Sequence, residues 1–131
     1  MISLQMRFCP PAGTPLPDAL SIKSDCSKSY SFGAGAQRCE IFLTHKDGAL
    51  YAYVNDCPHI HSPLDWQPDR FLNRENTHIK CGTHGALFEL ADGRCIEGPC
   101  VGRKLTPVPI SLTATGVVIG TETEDHRIIV A

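Results

Sequence analysis

The sequence predicts an all-β fold, and three observations carry that expectation. Glycine (11) and proline (10) make up 21 of 131 residues, about 16% against a usual 12% or so, which favours turns and short elements over long helices. Apolar residues in the clearest segment recur with period two, the spacing of a strand. Turn-forming pairs, Asp47-Gly48, Asp92-Gly93, Gly98-Pro99 and Thr115-Gly116, punctuate the rest of the chain.

Taken in order, residues 1–18 read as an irregular lead-in stiffened by Pro10, Pro11, Pro15 and Pro17. The segment ALSIKS (19–24) is a candidate first short strand. In CEIFLTHKDGALYAYVN, Cys39, Ile41 and Leu43 alternate with Glu40, Phe42 and Thr44, and Leu50, Ala52 and Val54 alternate with Tyr51 and Tyr53. Asp47-Gly48 between the two runs tolerates positive φ, so this is a β-hairpin running straight into Cys57. From 57 to 101 turn formers are dense, and HIK (78–80), ALFEL (86–90) and RCIE (94–97) are short strands between them. LTPVPISL and GVVIGTE form a further pair, and RIIVA (127–131) adds a last strand. A chain of this length is expected to be a single domain, residues 1–131, able to bury a core without cross-links.

Several function classes are disfavoured. The net charge is −2 and no basic stripe exists to neutralise a phosphate backbone, so nucleic acid is not an expected partner. The opening residues have no continuous apolar core of signal-peptide length, and no run of about 18 apolar residues occurs, so neither export nor a membrane partner is expected. Seven cysteines in such a chain point to metal binding more than to a disulfide framework, and hence to a reducing cytoplasm. Cys9, Cys26 and Cys39 are expected to be packing or surface thiols.

The chemistry concentrates in CPHIH (57–61) and CGTH (81–84). Cysteine offers a soft thiolate and histidine a neutral imidazole, and both suit zinc or a two-iron, two-sulfide cluster held by two cysteines and two histidines. Cys57 and His59 are separated by one residue, closer than structural zinc pairs usually begin, which weighs modestly against zinc. His61 is expected to shape the rim rather than to ligate, and His45, His78 and His126 receive no role. Cys95 and Cys100 could be a redox pair, a metal half-site or small core residues, and the last is favoured because a free cysteine packs well. Trp66 either docks a partner or caps the ligand loops; Asp65, Asp69 and Glu75 form no catalytic pair, and Arg103-Lys104 is too short for a binding patch.

These motifs resemble the Rieske iron–sulfur family. The resemblance is carried by Cys57-Pro58-His59, Pro63-Leu64, Cys81, His84-Gly85, Phe88, Asp92-Gly93 and Gly98-Pro99, and more loosely by residues 39–120. It implies a Rieske-type antiparallel β-sandwich with a smaller cluster-binding subdomain over about residues 56–101. It further implies a [2Fe-2S] cluster with Cys57 and Cys81 on the inner iron and His59 and His84 on the outer. Gly98-Pro99 would match the loop that covers the cluster. The interval 60–80 is longer than usual, and its extra length, DWQPDRFLNRENTH, is expected to be a surface excursion.

Within that family the sequence resembles the ferredoxin branch. Respiratory relatives carry a disulfide between the two ligand loops, where this chain has Ser62 and Thr83, and a hydroxyl donor where it has Ala86. An oxygenase would need a second, mononuclear-iron domain, for which the residues after the motif leave no room. The implied function is that of a soluble one-electron carrier, not an enzyme acting on an organic substrate, passing electrons from a reductase to an oxygenase or other acceptor. The alternatives are the small subunit of a multicomponent reductase of the nitrite-reductase type, or a zinc- or cluster-binding sensor or structural module.

Overall fold

The computed structural model describes residues 11–33, 39–58, 63–65, 67, 69–82 and 85–130. Within them the strands are β1 (Ser27–Phe32), β2 (Cys39–Lys46), β3 (Ala49–Val54), β4 (Ile79–Lys80), β5 (Leu87–Phe88), β6 (Cys95–Glu97), β7 (Ile110–Thr113), β8 (Gly116–Ile119) and β9 (Arg127–Ile129), with one short 3-10 turn, Ala19–Ser21. All named strand pairs are antiparallel. They form a four-stranded sheet in the order β1-β2-β3-β9, a three-stranded sheet β4-β5-β6 and the hairpin β7-β8. The described part of the chain is thus all-β, as the sequence predicts.

The β2–β3 hairpin is the centre of the molecule, and it is covered on both faces. Asp47 and Gly48 take φ of 52° and 79°, the left-handed pair that lets a two-residue turn follow the strand twist. Because side chains alternate, Ile41, Leu43, Leu50, Ala52 and Val54 point to one face. There they meet Leu16, Tyr30, Val108 and the inward residues of β7 and β8, Ile110, Val117 and Ile119. Phe42 and Tyr53, directly opposite each other in the ladder, point the other way into a second core. Apart from these hairpin residues and the partly buried Tyr51, that core is built from residues 57–105, including Cys57, Leu64, Phe71, Ile79, Cys81, Phe88, Cys95, Cys100 and Leu105.

The expected surface excursion, residues 65–78, leaves Gln67, Asp69, Arg70, Arg74, Glu75 and Thr77 exposed but is anchored inward by Phe71 and Leu72. Phe71 is wholly buried and stacks on Phe42, with ring centroids 4.0 Å apart and planes 5° from parallel. Asp69 reaches β1 and accepts hydrogen bonds from the Ser29 amide and hydroxyl, both at 2.8 Å. Lys80 N–H donates to the Phe71 carbonyl, which keeps the returning chain against the outgoing one. The long loop is held because the second face of the hairpin needs an aromatic cover.

Three other expectations are corrected. Residues 19–24 are not a strand: Leu16, Ala19 and Ile22 are the buried positions, spaced by three, and the chain turns once as a 3-10 helix to bury them. The first strand is instead Ser27–Phe32, a Ser- and Lys-rich edge whose inward residue is Tyr30. Residues 105–109 do not continue β7, since Pro107 and Pro109 have no N–H to offer a ladder. Val108 N–H donates to Ala52 and Val54 N–H to Thr106, so this stretch pairs with the end of β3 by isolated bonds. Cys39 is not a thiol but disulfide-bonded, a proximity that composition cannot encode. Cys26 is an exposed free thiol, as expected, and Cys9 lies outside the described residues.

Removing the aromatic cover tests this arrangement. Phe71→Ala should destabilise the fold by about 3–5 kcal/mol, the cost of truncating a fully buried aromatic, read from the urea midpoint. The fold should also weaken in strong alkali. Burial, reinforced by the charges of Asp18 and Asp69, pushes Tyr30 from 10.0 up to about 12, and its hydroxyl donates to the Pro17 carbonyl at 2.7 Å. Above pH 10 the unfolded chain releases this proton before the folded chain does, so stability present below pH 10 is lost as pH rises towards 12. Unfolding curves of the wild type and Tyr30→Phe between pH 9 and 12 should converge if Tyr30 is responsible.

Candidate metal centre

Two loops lead from the strands into the second core. The first leaves β3 through Asn55 and Asp56 to Cys57 and Pro58, and the second leaves β4 at Cys81. Both cysteines are outside any disulfide and wholly buried. Cys81 N–H donates to the Ala86 carbonyl and Gly85 N–H to the Cys81 carbonyl, each at 2.8 Å, closing a tight loop. Gly85 has φ of 69°, in the left-handed region that glycine reaches without strain.

The two loops are bound to each other through Leu64. Asn55 is one of two buried polar residues among those described, and its side-chain oxygen accepts the Leu64 N–H at 2.7 Å. The Leu64 carbonyl in turn accepts the Gly82 N–H at 2.8 Å. The amide of Asn55 donates to Glu40 at 2.8 Å and to Asp65 at 3.2 Å, so a single side chain joins β2, the first loop and residues 64–65. Asn55 was not singled out from the sequence. Its signal was its position, a lone amide between a buried strand and a cysteine.

A third segment, residues 95–103, forms a wall over the second loop. A Cβ built on Gly98 would lie 2.8 Å from the Ala86 Cα, so at φ 103° only glycine permits this approach. Arg103 crosses to the first loop and donates from Nη1 to the Pro58 carbonyl at 2.8 Å. Arg103 thereby ties the wall to the segment that follows Cys57. Gly93, with φ 74°, admits the Tyr53 ring, since a Cβ there would meet Cε1 at 2.8 Å. The Tyr53 hydroxyl donates to the Leu90 carbonyl at 2.7 Å, and His126 Nε2 donates to the Ala91 carbonyl at 2.8 Å. His126 thus holds the Asp92-Gly93 turn, a role that the sequence did not reveal.

The structure brings Cys57, Cys81, Cys95 and Cys100 into one core. His59, His61, Ser62, Trp66, Thr83 and His84 lie outside the described residues. Among the described residues no three His, Cys, Asp or Glu side chains gather as a metal site, since two of the four expected donors are not among them. Asp65 accepts a hydrogen bond from the Asn55 amide and Asp69 from the Ser29 N–H. No described helix is long and apolar enough to cross a membrane.

The model of the Rieske [2Fe-2S] domain family matches residues 20–117. The fold is similar to that of the ferredoxin of carbazole 1,9a-dioxygenase from Nocardioides aromaticivorans IC177, at 19% identity and a TM-score of 0.59, covering 78% of this chain and 90% of that one. The Sphingomonas yanoikuyae B1 ferredoxin is similar at 19% identity and a TM-score of 0.57, covering 78% and 92%. The terminal oxygenase of carbazole 1,9a-dioxygenase from Novosphingobium sp. KA1 matches at 17% identity and a TM-score of 0.60, but over 79% of this chain and only 28% of that one.

The Asn55 bridge can be tested directly. Asn55→Ala leaves the buried Leu64 N–H without an acceptor and should cost about 1–3 kcal/mol in urea unfolding. Asn55→Asp keeps an acceptor for Leu64 but sets a third carboxylate beside Glu40 and Asp65, and should do no better than alanine at neutral pH.

Proposed function

The chain belongs to the Rieske [2Fe-2S] domain family, and on that premise we propose that it is a cytoplasmic one-electron carrier that takes electrons from a reductase and delivers them to an oxygenase or other terminal acceptor. One observation carries this reading: two wholly buried cysteines outside any disulfide, Cys57 and Cys81, sit on separate loops that are hydrogen-bonded to each other. Thiolates in an apolar core are costly alone and are stabilised by a bound cation. The soft donors therefore suit iron, with Cys57 and Cys81 as inner ligands and His59 and His84 as outer ligands. Residues 56–101 are the cluster-binding part of a single domain.

When bound, the cluster supplies a site that holds one electron. The chain's own residues fix the ligand loops, through Asn55, Leu64 and Gly82, and close one side with the wall that Arg103 ties to Pro58. A rigid site of this kind serves electron transfer, which needs little rearrangement of the ligands. The ferredoxin of a carbazole dioxygenase shares this fold and is covered almost end to end, whereas the oxygenase chain is matched over about a quarter of its length.

The potential should lie in the lower part of the roughly −150 to +300 mV range of Rieske centres. Donors aimed at sulfur stabilise the reduced state, and Ala86, buried against Gly98, has no hydroxyl to contribute. Voltammetry giving a midpoint near the top of the range at neutral pH would count against the ferredoxin reading. Protein purified without oxygen should contain about two irons and two acid-labile sulfides per chain, and stoichiometric zinc without sulfide would exclude it. His84→Ala should lose most of the iron, and His61→Ala should keep it.

A further inference from the structure

Cys95 and Cys100 are not needed for the ligand set, and their packing goes beyond what filling a core requires. Their exposures are 2% and 1%, and their sulfurs lie 2.9 Å apart, with Cys100 Sγ donating to Cys95 Sγ. The backbone holds them there. Cys95 N–H donates to the Arg103 carbonyl and Arg103 N–H to the Cys100 carbonyl, each at 2.9 Å, so both cysteines are pinned to one residue. A disulfide needs sulfurs at about 2.05 Å, roughly 0.9 Å closer than they stand. Two cysteines chosen only as small apolar fillers have no reason to face sulfur to sulfur. A metal half-site would need further donors, and among the described residues no group of three gathers.

We propose that Cys95 and Cys100 are a redox pair that closes reversibly into a disulfide, cross-linking the wall of residues 95–103 within itself. The oxidant is a small disulfide such as oxidised glutathione. Two protein S–H bonds and one glutathione S–S bond are broken, and one protein S–S bond and two glutathione S–H bonds are formed. Two electrons pass from the protein to glutathione, and both protons end on the released thiols. The chain already carries one disulfide, at Cys39.

Access governs the rate. Both sulfurs are buried, so a small disulfide cannot reach them while the segment is closed. Exchange requires the wall to open. Gly98 and Gly102, with φ of 103° and 94°, lie on either side of Cys100, and a Cβ at Gly102 would meet nothing within 4 Å. The cross-link should form and reduce slowly, and once formed it constrains the segment that places Arg103 on Pro58.

The sequence makes the test direct, because trypsin cutting after Arg94 and Arg103 releases residues 95–103 with Cys95 and Cys100 as its cysteines. The iron-loaded protein is brought to constant composition in mixtures of oxidised and reduced glutathione, starting both from reduced and from pre-oxidised protein, then alkylated in denaturant and digested. The expected result is a peptide lighter by two hydrogens and carrying no alkyl group at oxidising ratios, giving way to a doubly alkylated peptide at reducing ratios. Cys100→Ser should abolish the lighter species. Double alkylation at every ratio from both starting points would overturn the proposal, and so would a stable single glutathione adduct on the wild-type peptide. The visible spectrum, followed in parallel, reports on iron retention independently of the thiols.

Discussion

The β2–β3 hairpin must be buried on both faces, and the rest of the structure follows from that constraint. A strand pair with Ile41, Leu43 and Ala52 on one side and Phe42 and Tyr53 on the other cannot leave either side in water. The first face is met by β7, β8 and the Leu16–Ala19–Ile22 turn, which complete a sandwich. The second face is met by the long insertion between β3 and β7, which carries the β4-β5-β6 sheet and loops joined by backbone hydrogen bonds. Phe71 stacked on Phe42 and the Gly93 backbone fitted to Tyr53 are the points at which that insertion is fastened.

Fastening the insertion there puts both ligand loops at the same end of the hairpin. Cys57 follows β3 by three residues, so its place is set by the strand. Cys81 has no such leash and depends on the returning segment 69–80. Leu64 resolves this, since its N–H and C=O bind Asn55 and Gly82 and fix the distance between the loops. Two buried cysteines assembled this way are positioned by the backbone itself, which is what the proposed one-electron centre would require of its ligands.

The cysteines divide by environment rather than by sequence pattern. Cys57 and Cys81 are buried on facing loops, Cys39 is disulfide-bonded, Cys26 is exposed, and Cys95 and Cys100 face each other in a turn. Respiratory relatives brace their ligand loops with a disulfide at positions that here are Ser62 and Thr83. In this chain the hydrogen-bonded Leu64 bridge and the glycine-to-alanine contact between Gly98 and Ala86 brace the described parts of those loops instead.

What the sequence determined by itself was whatever local physics controls. Period-two alternation marked β2 and β3, Asp47-Gly48 marked their turn, and the CPHIH and CGTH motifs named the family and the cysteines that the fold then buries in one core. The tertiary structure decided everything that depends on a partner distant in the chain. Phe42 and Tyr53 were marked only as alternating positions, and it is residues 57–105 that bury them. Phe71 read as part of a surface loop because nothing adjacent to it in sequence stacks on it. Asn55, His126 and Arg103 had no local signature, since their hydrogen bonds reach residues between nine and forty-five positions away. Short-range preferences are written in neighbouring residues, whereas the choice of a distant partner is made only when burial brings the two together.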